Sequence, residues 1–405
     1  MFRRQNGSTL SEKTPQAEPE DRDAVPPGYL GPVPPVGQLP PKGERLWIDR
    51  TEQLLRAVDI LTKAGVVAID AEFTQVRSRT QGDVLTTVPR LALLQLAVDQ
   101  HCFVVDTLRL RNLAPLISVV SDPDIVILLH GAGADMRVMA ERDLNVVHYY
   151  DLEATCRSIF GQHESSLAAM LQRAFHMRLD KSLQRTDWTR RPLPPAMIAY
   201  AARDAEVTLA LYHWLDEHYH AILQLHESTD QPDHVASWIE PFLRGSAPLS
   251  PEMAVAEAKE QRLIKNKAQI YTDCRAALAT LMHPMRRSRL LRLIADLALT
   301  QMAPDIIPLL QAPTMDERAG SARALGRLGI KSARDVIHPL LSDPVQDVRM
   351  AAWTALRNLS DREPRLPRAP TSKAADGTRS WTVGASDKSS TEDDWKARLR
   401  SIIDP

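Results

Sequence analysis

The residues of this sequence best equipped for chemistry are Asp70 and Glu72 in VVAIDAEF, Asp135 in LLHGAGADM, and Tyr200 with Asp204 in AYAARDAEV. Four carboxylates and a phenol that converge could hold a pair of divalent cations. On a strand, residues two apart face the same side, so VVAIDAEF projects Asp70 and Glu72 together. Two such charges repel unless a cation lies between them. An all-carboxylate ligand set suits the hard ions Mg²⁺ and Mn²⁺. Tyr200 and Asp204 are four apart in a helical stretch, hence one turn apart on one face. A tyrosine hydroxyl beside a metal-held carboxylate can orient a water molecule. Asp135 follows a strand and the small residues of HGAGA, at the start of a helix. Each signal also has a plainer reading: a solvated strand end, an acid complementing a helix N-terminus, a buried tyrosine above an exposed acid. His130, at a strand end, can touch a phosphate or serve the fold.

The elements that must bring these residues together are legible as hydrophobic patterns. VVAIDAEF, LALLQLAV, CFVVD, DIVILLH and NVVHYYD read as five strands. ERLWIDRTEQLLRAVDILTKAG has apolar residues at helical spacing and stops at Gly65. A polar stretch from Thr74 to Thr87, with Arg77 and Arg79, separates the first two strands. RNLAPLISVV and GADMRVMAERDL read as helices. Residues 152–219 are mainly helical apart from a basic loop, LDKSLQRTDWTRRPLPP. Strands that then alternate with helices predict a mixed five-stranded sheet flanked by helices.

Beyond Pro251 the pattern is helical throughout. IIPLLQAPTMDERAGSARALGRL aligns with IHPLLSDPVQDVRMAAWTALRNL, pairing Pro308 with Pro339, Asp316 with Asp347 and Arg318 with Arg349. Each unit is a helix, a proline-containing turn and a second helix, and resembles a short HEAT-type repeat. Few such repeats stack stably by themselves, so they should lean on the helices before them. Residues 1–45 hold nine prolines and few large apolar side chains, too little to offset their ordering entropy. They read as a disordered tail or as a docking segment for a proline-binding module. The expected division is a tail over 1–45, a domain of strands and helices carrying the four acids and Tyr200 over 46–222, a helical region over 223–300, HEAT-like repeats over 301–360 and a second tail over 361–405.

The stretch from Val66 to Tyr212 resembles the ribonuclease D family of 3′–5′ exonucleases. The strongest match is LDKSLQRTDWTRRPLPPAMIAYAARDAEVTLALY, which carries the family's Leu-Asp-Lys, Thr-Asp-Trp, Arg-Pro-Leu and Tyr-Ala-Ala-x-Asp elements in order. DAEF, LLQLA and HGAGAD fit in sequence before it. The resemblance implies an α/β ribonuclease H-like fold followed here by an all-α part with HEAT-like repeats. It implies that Asp70, Glu72 and Asp204 hold one Mg²⁺ or Mn²⁺ ion, that Asp70 and Asp135 hold a second, and that Tyr200 orients the attacking water. Nucleoside 5′-monophosphates would leave from an RNA 3′ end, with transfer-RNA precursors the family's usual substrate. Substrate contacts are expected from Phe73, His130, Lys181, Arg185, Arg190 and Arg191.

The bulk numbers narrow the alternatives. A net charge of −1 shows no global basic excess, so a nucleic-acid surface must be local. Cys102, Cys156 and Cys274 stand far apart, form no metal-ligand pair and fit a reducing cytosol. No stretch reaches the roughly 18 apolar residues of a membrane helix, and MFRRQNGSTLSEKTPQ lacks the apolar run of a secretory signal. A cytoplasmic protein without membrane contact is expected. The long polar stretch after DAEF and the HEAT-like repeats depart from the ribonuclease D pattern. The repeats put the family's transfer-RNA substrate in question; DNA stays open as a substrate because related exonucleases act on it, and so does a silent exonuclease fold that serves as scaffold for a protein partner on the repeats. The presence of all four acids and Tyr200 favours the enzyme.

Overall fold

The computed structural model describes residues 34–40, 43–79, 85–179, 183, 186–228, 234–245 and 250–360. Seven strands form one mixed sheet: β1 (Glu44–Ile48), β2 (Val66–Arg79), β3 (Leu85–Val98), β4 (His101–Asp106), β5 (Val126–Leu129), β6 (Tyr149–Asp151) and β7 (Glu227–Ser228). Their spatial order is β1-β4-β3-β2-β5-β6-β7. The central run β4-β3-β2 is antiparallel, β5 and β6 add parallel to β2, and β1 lies parallel to β4 at the edge. Helices α1 (Thr51–Leu61), α2 (Gly133–Ala140), α3 (Leu152–Phe160), α4 (Leu167–Phe175) and α5 (Pro195–Gln224) cover the two faces.

Side-chain alternation divides the core. Val67, Ile69 and Ala71 of β2 pack with Leu54, Ala57 and Leu61 of α1 and with Val138 and Met139 of α2. Ala68, one residue out of phase, packs with Leu93, Val104 and Leu128 beneath Ala201, Ala202, Ala205 and Leu209 of α5. Each large side chain buried in either layer contributes on the order of 1.5–3 kcal/mol. The same period of two sends Asp70 and Glu72 to the α5 side.

The structure differs from the sequence expectation in three places. The sheet has seven strands rather than five, because ERLWI is β1 and not the start of a helix, and because the two-residue β7 adds antiparallel to β6. The pairing of β1 with β4 is a tertiary contact that a five-residue pattern does not announce. The polar stretch 74–87 extends the β2–β3 ladder as far as Arg79 opposite Leu85. Thr87 and Val88 are exposed, so this ribbon runs beyond the core and lacks the apolar alternation that marks a half-buried strand. Within the expected N-terminal tail, residues 34–40 are fixed on the fold: the Gly37 amide donates to the Ala174 carbonyl at 2.8 Å and Trp214 Nε1 donates to the Pro35 carbonyl at 3.4 Å. The rest of that tail to residue 33, and the tail over 361–405, lie outside the described residues.

The C-terminal part is helical as expected. Its longer helices are α6 (Pro251–Glu260), α7 (Lys267–Thr280), α8 (Pro284–Asp296), α9 (Met315–Arg327) and α10 (Gln346–Asn358). The repeat seen in the sequence has a structural cause. Arg318 Nη1 donates to the carbonyls of Ala312 and Pro313 at 3.0 and 2.9 Å, and Arg349 Nη1 donates to those of Asp343 and Pro344 at 2.6 and 2.9 Å. In each unit an arginine of the second helix closes the proline turn before it. Arg318 also pairs with Asp343 of the following turn at 2.7 and 3.1 Å. The aligned acids point elsewhere. Asp316 accepts from the Ser158 hydroxyl of α3, and Asp347 accepts from the Gln162 amide at 2.9 Å. Both repeats are thus fastened to the same end of α3.

Arg318 and Asp343 are almost fully enclosed, so removing one partner leaves a charge that water cannot reach. Arg318→Ala is expected to cost about 3 kcal/mol or more. Arg349→Ala, which removes only carbonyl contacts, should cost less. Urea unfolding midpoints of the two variants test this, and equal losses would contradict it.

Candidate active site

Three carboxylates meet where β2 leaves the core. Asp70, Glu72 and Asp204 each bring an oxygen into a group whose members all lie within 4.8 Å of one another. Asp70 and Glu72 reach it by strand alternation. Asp204 reaches it because the face of α5 turned to the sheet is built of Ala201, Ala202 and Ala205, all at 0 % exposure. Small side chains let helix and sheet approach closely. Tyr200, one turn earlier, donates its hydroxyl to Asp204.

Asp135 is delivered separately. It sits in the first turn of α2 and is buried. The turn before it is held by Asp151, whose carboxylate accepts from the amides of Gly131 and Ala132 at 2.9 and 3.3 Å and also caps α3 through the Glu153 amide at 3.1 Å. Gly131 has φ of +79°, a left-handed conformation that glycine adopts without strain.

Electrostatics mark this group as strained. Burial, then the charges of Asp135 and Asp204, raise the Asp70 carboxyl well above its usual range. Burial, then Asp70, pushes Glu72 up to about 9. Burial, then Asp151, pushes Asp135 up to about 7. Burial pushes Asp204 up to about 6, a rise that the Tyr200 hydrogen bond and Arg203 restrain. Asp204 Oδ1 is enclosed with no hydrogen-bond partner among the described residues. Clustered acids, an orphaned carboxylate oxygen and a donor set of oxygen alone fit divalent cations of the Mg²⁺ or Mn²⁺ kind.

Residues 46–219 match the 3′-5′ exonuclease family, and residues 303–370 match HEAT repeats. Protein RRP6-like 3 of Arabidopsis thaliana is 32% identical over 167 residues, covering 40% of this chain and 18% of that protein. Ribonuclease D of Haemophilus influenzae is 29% identical over 165 residues, covering 40% of this chain and 39% of that protein. Ribonuclease D of Gluconacetobacter diazotrophicus is 35% identical over 175 residues, covering 42% of each. The match spans less than half the length of each of these three relatives. Residues 46–219 are thus similar to a 3′-5′ exonuclease domain, and the relatives that share this similarity include ribonuclease D proteins.

Within residues 46–219 the expected substrate contacts fare unevenly. Lys181 and Arg185 lie outside the described residues. Arg190 is exposed. Arg191 is turned inward: Nε and Nη2 each lie 2.8 Å from the buried Asp106 carboxylate, and its other donors reach the carbonyls of Trp188 at 2.7 Å and Ala92 at 3.0 Å. This side chain clamps the loop to the sheet, because a guanidinium enclosed beside a buried acid has no donors to spare. Phe73, partly buried, packs on the opposite core layer, where alternation places it. His130 donates from Nε2 to the Ser165 carbonyl at 3.1 Å, and burial lowers its pKa, so it serves the fold.

Two contributors were missed in the sequence. Gln95, fully buried, stands opposite Asp70 in the β2–β3 register. With its amide nitrogen facing Asp70 it lies 2.5 Å from that residue's carbonyl and 3.3 Å from Oδ2. A lone polar residue inside LALLQLAV was the available signal. Trp188, also buried, sets its ring 6.0 Å from that of Tyr200, and its amide donates to Thr74 Oγ1 at 3.1 Å. Arg191, Trp188 and Tyr200 are thus linked, which ties the basic loop to the site by packing.

Carboxyls whose folded pKa lies above the unfolded value favour the folded state while protonated. That contribution is full below about pH 4 and is lost as pH rises through the folded values, about 6 for Asp204 and about 9 for Glu72. In EDTA, Glu72→Gln should therefore unfold at a higher temperature than the wild type at about pH 8, by about 2 °C or more, with the gap closing toward pH 4. A variant no more stable than the wild type at the higher pH would refute the strain.

Proposed function

We propose that this protein is a metal-dependent 3′–5′ exoribonuclease that releases nucleoside 5′-monophosphates from RNA 3′ ends. The observation that carries this is the meeting of Asp70, Glu72 and Asp204, with Tyr200 bonded to Asp204 and the charge of Asp135 acting on Asp70. Asp70, Glu72 and Asp204 would hold one ion, and Asp70 with Asp135 a second. Bound there, such ions lower the pKa of water and stabilise the charge on a leaving 3′ oxygen. The protein supplies the rest. The Tyr200 hydroxyl holds and orients the attacking water, Gln95 fixes the Asp70 carboxylate, and Trp188 fixes the Tyr200 ring. Water adds to the phosphorus as the bond to the 3′ oxygen breaks. That oxygen takes a proton, leaving an RNA one nucleotide shorter with a free 3′ hydroxyl.

The ribonuclease D relatives support RNA over DNA as the substrate. The setting we infer is cytoplasmic RNA processing or turnover, transfer-RNA maturation included. No helix among the described residues is long and apolar enough to cross a membrane, and the three cysteines are buried free thiols.

Labelled single-stranded RNA and DNA, incubated with Mg²⁺ or Mn²⁺, test the assignment. Stepwise shortening of RNA from the 3′ end is expected, abolished by EDTA and slowed at least a hundredfold, roughly, by Asp70→Ala. An unimpaired Asp70→Ala protein would remove the site; preference for DNA would move the substrate; an inactive wild type would leave a scaffold. Tyr200→Phe should lower kcat by about a hundredfold with little change in KM, since its loss removes water orientation and not ground-state binding. A change confined to KM would assign Tyr200 to binding instead.

A further inference from the structure

The C-terminal helices carry a cleft that the catalytic site does not use. Arg289 and Arg292 of α8 and Arg323 and Arg327 of α9 line an opening of about 440 Å³. Helix α9 lies close against α8 here, because Gly320 brings its backbone to where a Cβ would meet Ser288 Oγ at 3.0 Å. Four guanidinium groups from two helices are therefore gathered in one opening, in a chain whose net charge is −1. A solvated helix face would intersperse acids. Here Asp296 stands close to Arg327 and 3.7 Å from Arg292, and the charge of Arg323 acts on the buried Asp316. Arg292, Arg323 and Arg327 are exposed. Arg289 is half-buried, with one donor on the Leu243 carbonyl at 2.6 Å.

A second opening of about 360 Å³ shares Arg289 and Arg292 and adds the partly exposed ring of Phe242. Arginines pair with phosphate oxygens in a two-donor geometry. An aromatic ring beside them can take a base, and this combination tracks single-stranded nucleic acid without reading its sequence. An acidic polypeptide would use the charges but not the ring.

We propose that the cleft between α8 and α9 is a second nucleic-acid site, which binds the sugar–phosphate backbone of RNA away from the 3′ nucleotide being removed. The choice of RNA as occupant rests on the exoribonuclease reading; the cleft itself does not. It gives the HEAT-like part a role in holding longer substrates.

The test uses the full chain in EDTA, with labelled single-stranded RNA of roughly 30 nucleotides followed by anisotropy over a range of salt. Arg292→Ala combined with Arg323→Ala should weaken binding by about tenfold to a hundredfold and reduce the salt slope by about two. Arg292→Lys combined with Arg323→Lys should keep most of that slope, because charge remains. Wild-type affinity in the alanine variant overturns the proposal. So does unchanged RNA binding with loss of polyglutamate binding, which would make the occupant an acidic protein. Cleavage of a short RNA, measured alongside, separates the two readings. A wild type that cleaves nothing, with a variant that loses long RNA, keeps the cleft and removes the catalytic assignment. A wild type that cleaves, with a variant that binds normally, removes the cleft alone.

Discussion

Like charges held together govern this molecule. Three carboxylate oxygens within 4.8 Å of one another, and a fourth acid beside them, would separate if their backbones were free to move. They cannot, because each is carried by an element fixed elsewhere. Asp70 and Glu72 ride on β2, the strand packed on both faces and paired with β3 and β5. Asp204 rides on α5, whose alanine face seats it on the sheet. Asp135 rides on a turn bonded to Asp151. The core therefore does more than stabilise the domain. It holds a charge arrangement that opposes folding whenever those acids are ionised without a counter-ion, a strain that a bound cation would relieve.

The sequence made some of this legible because two periodicities act locally. A period of two joins Asp70 to Glu72, and a helical turn joins Tyr200 to Asp204. That the two pairs face each other depends on which side of the sheet α5 covers, and no spacing within either segment carries that information. The failures have the same origin. β1 and β7 exist only through pairing with β4 and β6. The β2–β3 ribbon continues beyond the core, so apolar alternation could not report it. Gln95 looked like an interruption in an apolar strand, while its role comes from standing opposite Asp70.

The basic loop shows how charge and function separate in three dimensions. Arg190 and Arg191 are adjacent in sequence and alike in type, yet one is exposed and the other neutralises a buried aspartate. Arg191 spans Asp106 on β4, Ala92 on β3 and the Trp188 carbonyl of its own loop. Losing it would remove the close ion pair of the enclosed Asp106 and leave that acid only the Leu108 and Arg109 amides and Arg109 Nε at 4.0 Å, a destabilising change for a buried charge. The motif around this loop is thus in part a folding requirement. It seats Trp188 against Tyr200, and only through that packing does it serve the site.

The repeats extend the same logic. Asp316 and Asp347, aligned in the sequence, both bond to the end of α3, while Asp151 at the other end of α3 caps that helix and holds the turn that carries Asp135. A continuous set of hydrogen bonds and one rigid helix therefore joins the HEAT-like stack to an acid of the candidate site. The aligned acids of both repeats are already occupied within the chain, so they are not the surface that a partner would meet. The stack also leaves exposed the arginines between α8 and α9. In a near-neutral protein, the acids gathered at one place and the arginines at another suit a polyanion whose terminus is cut at the first and whose backbone is held at the second.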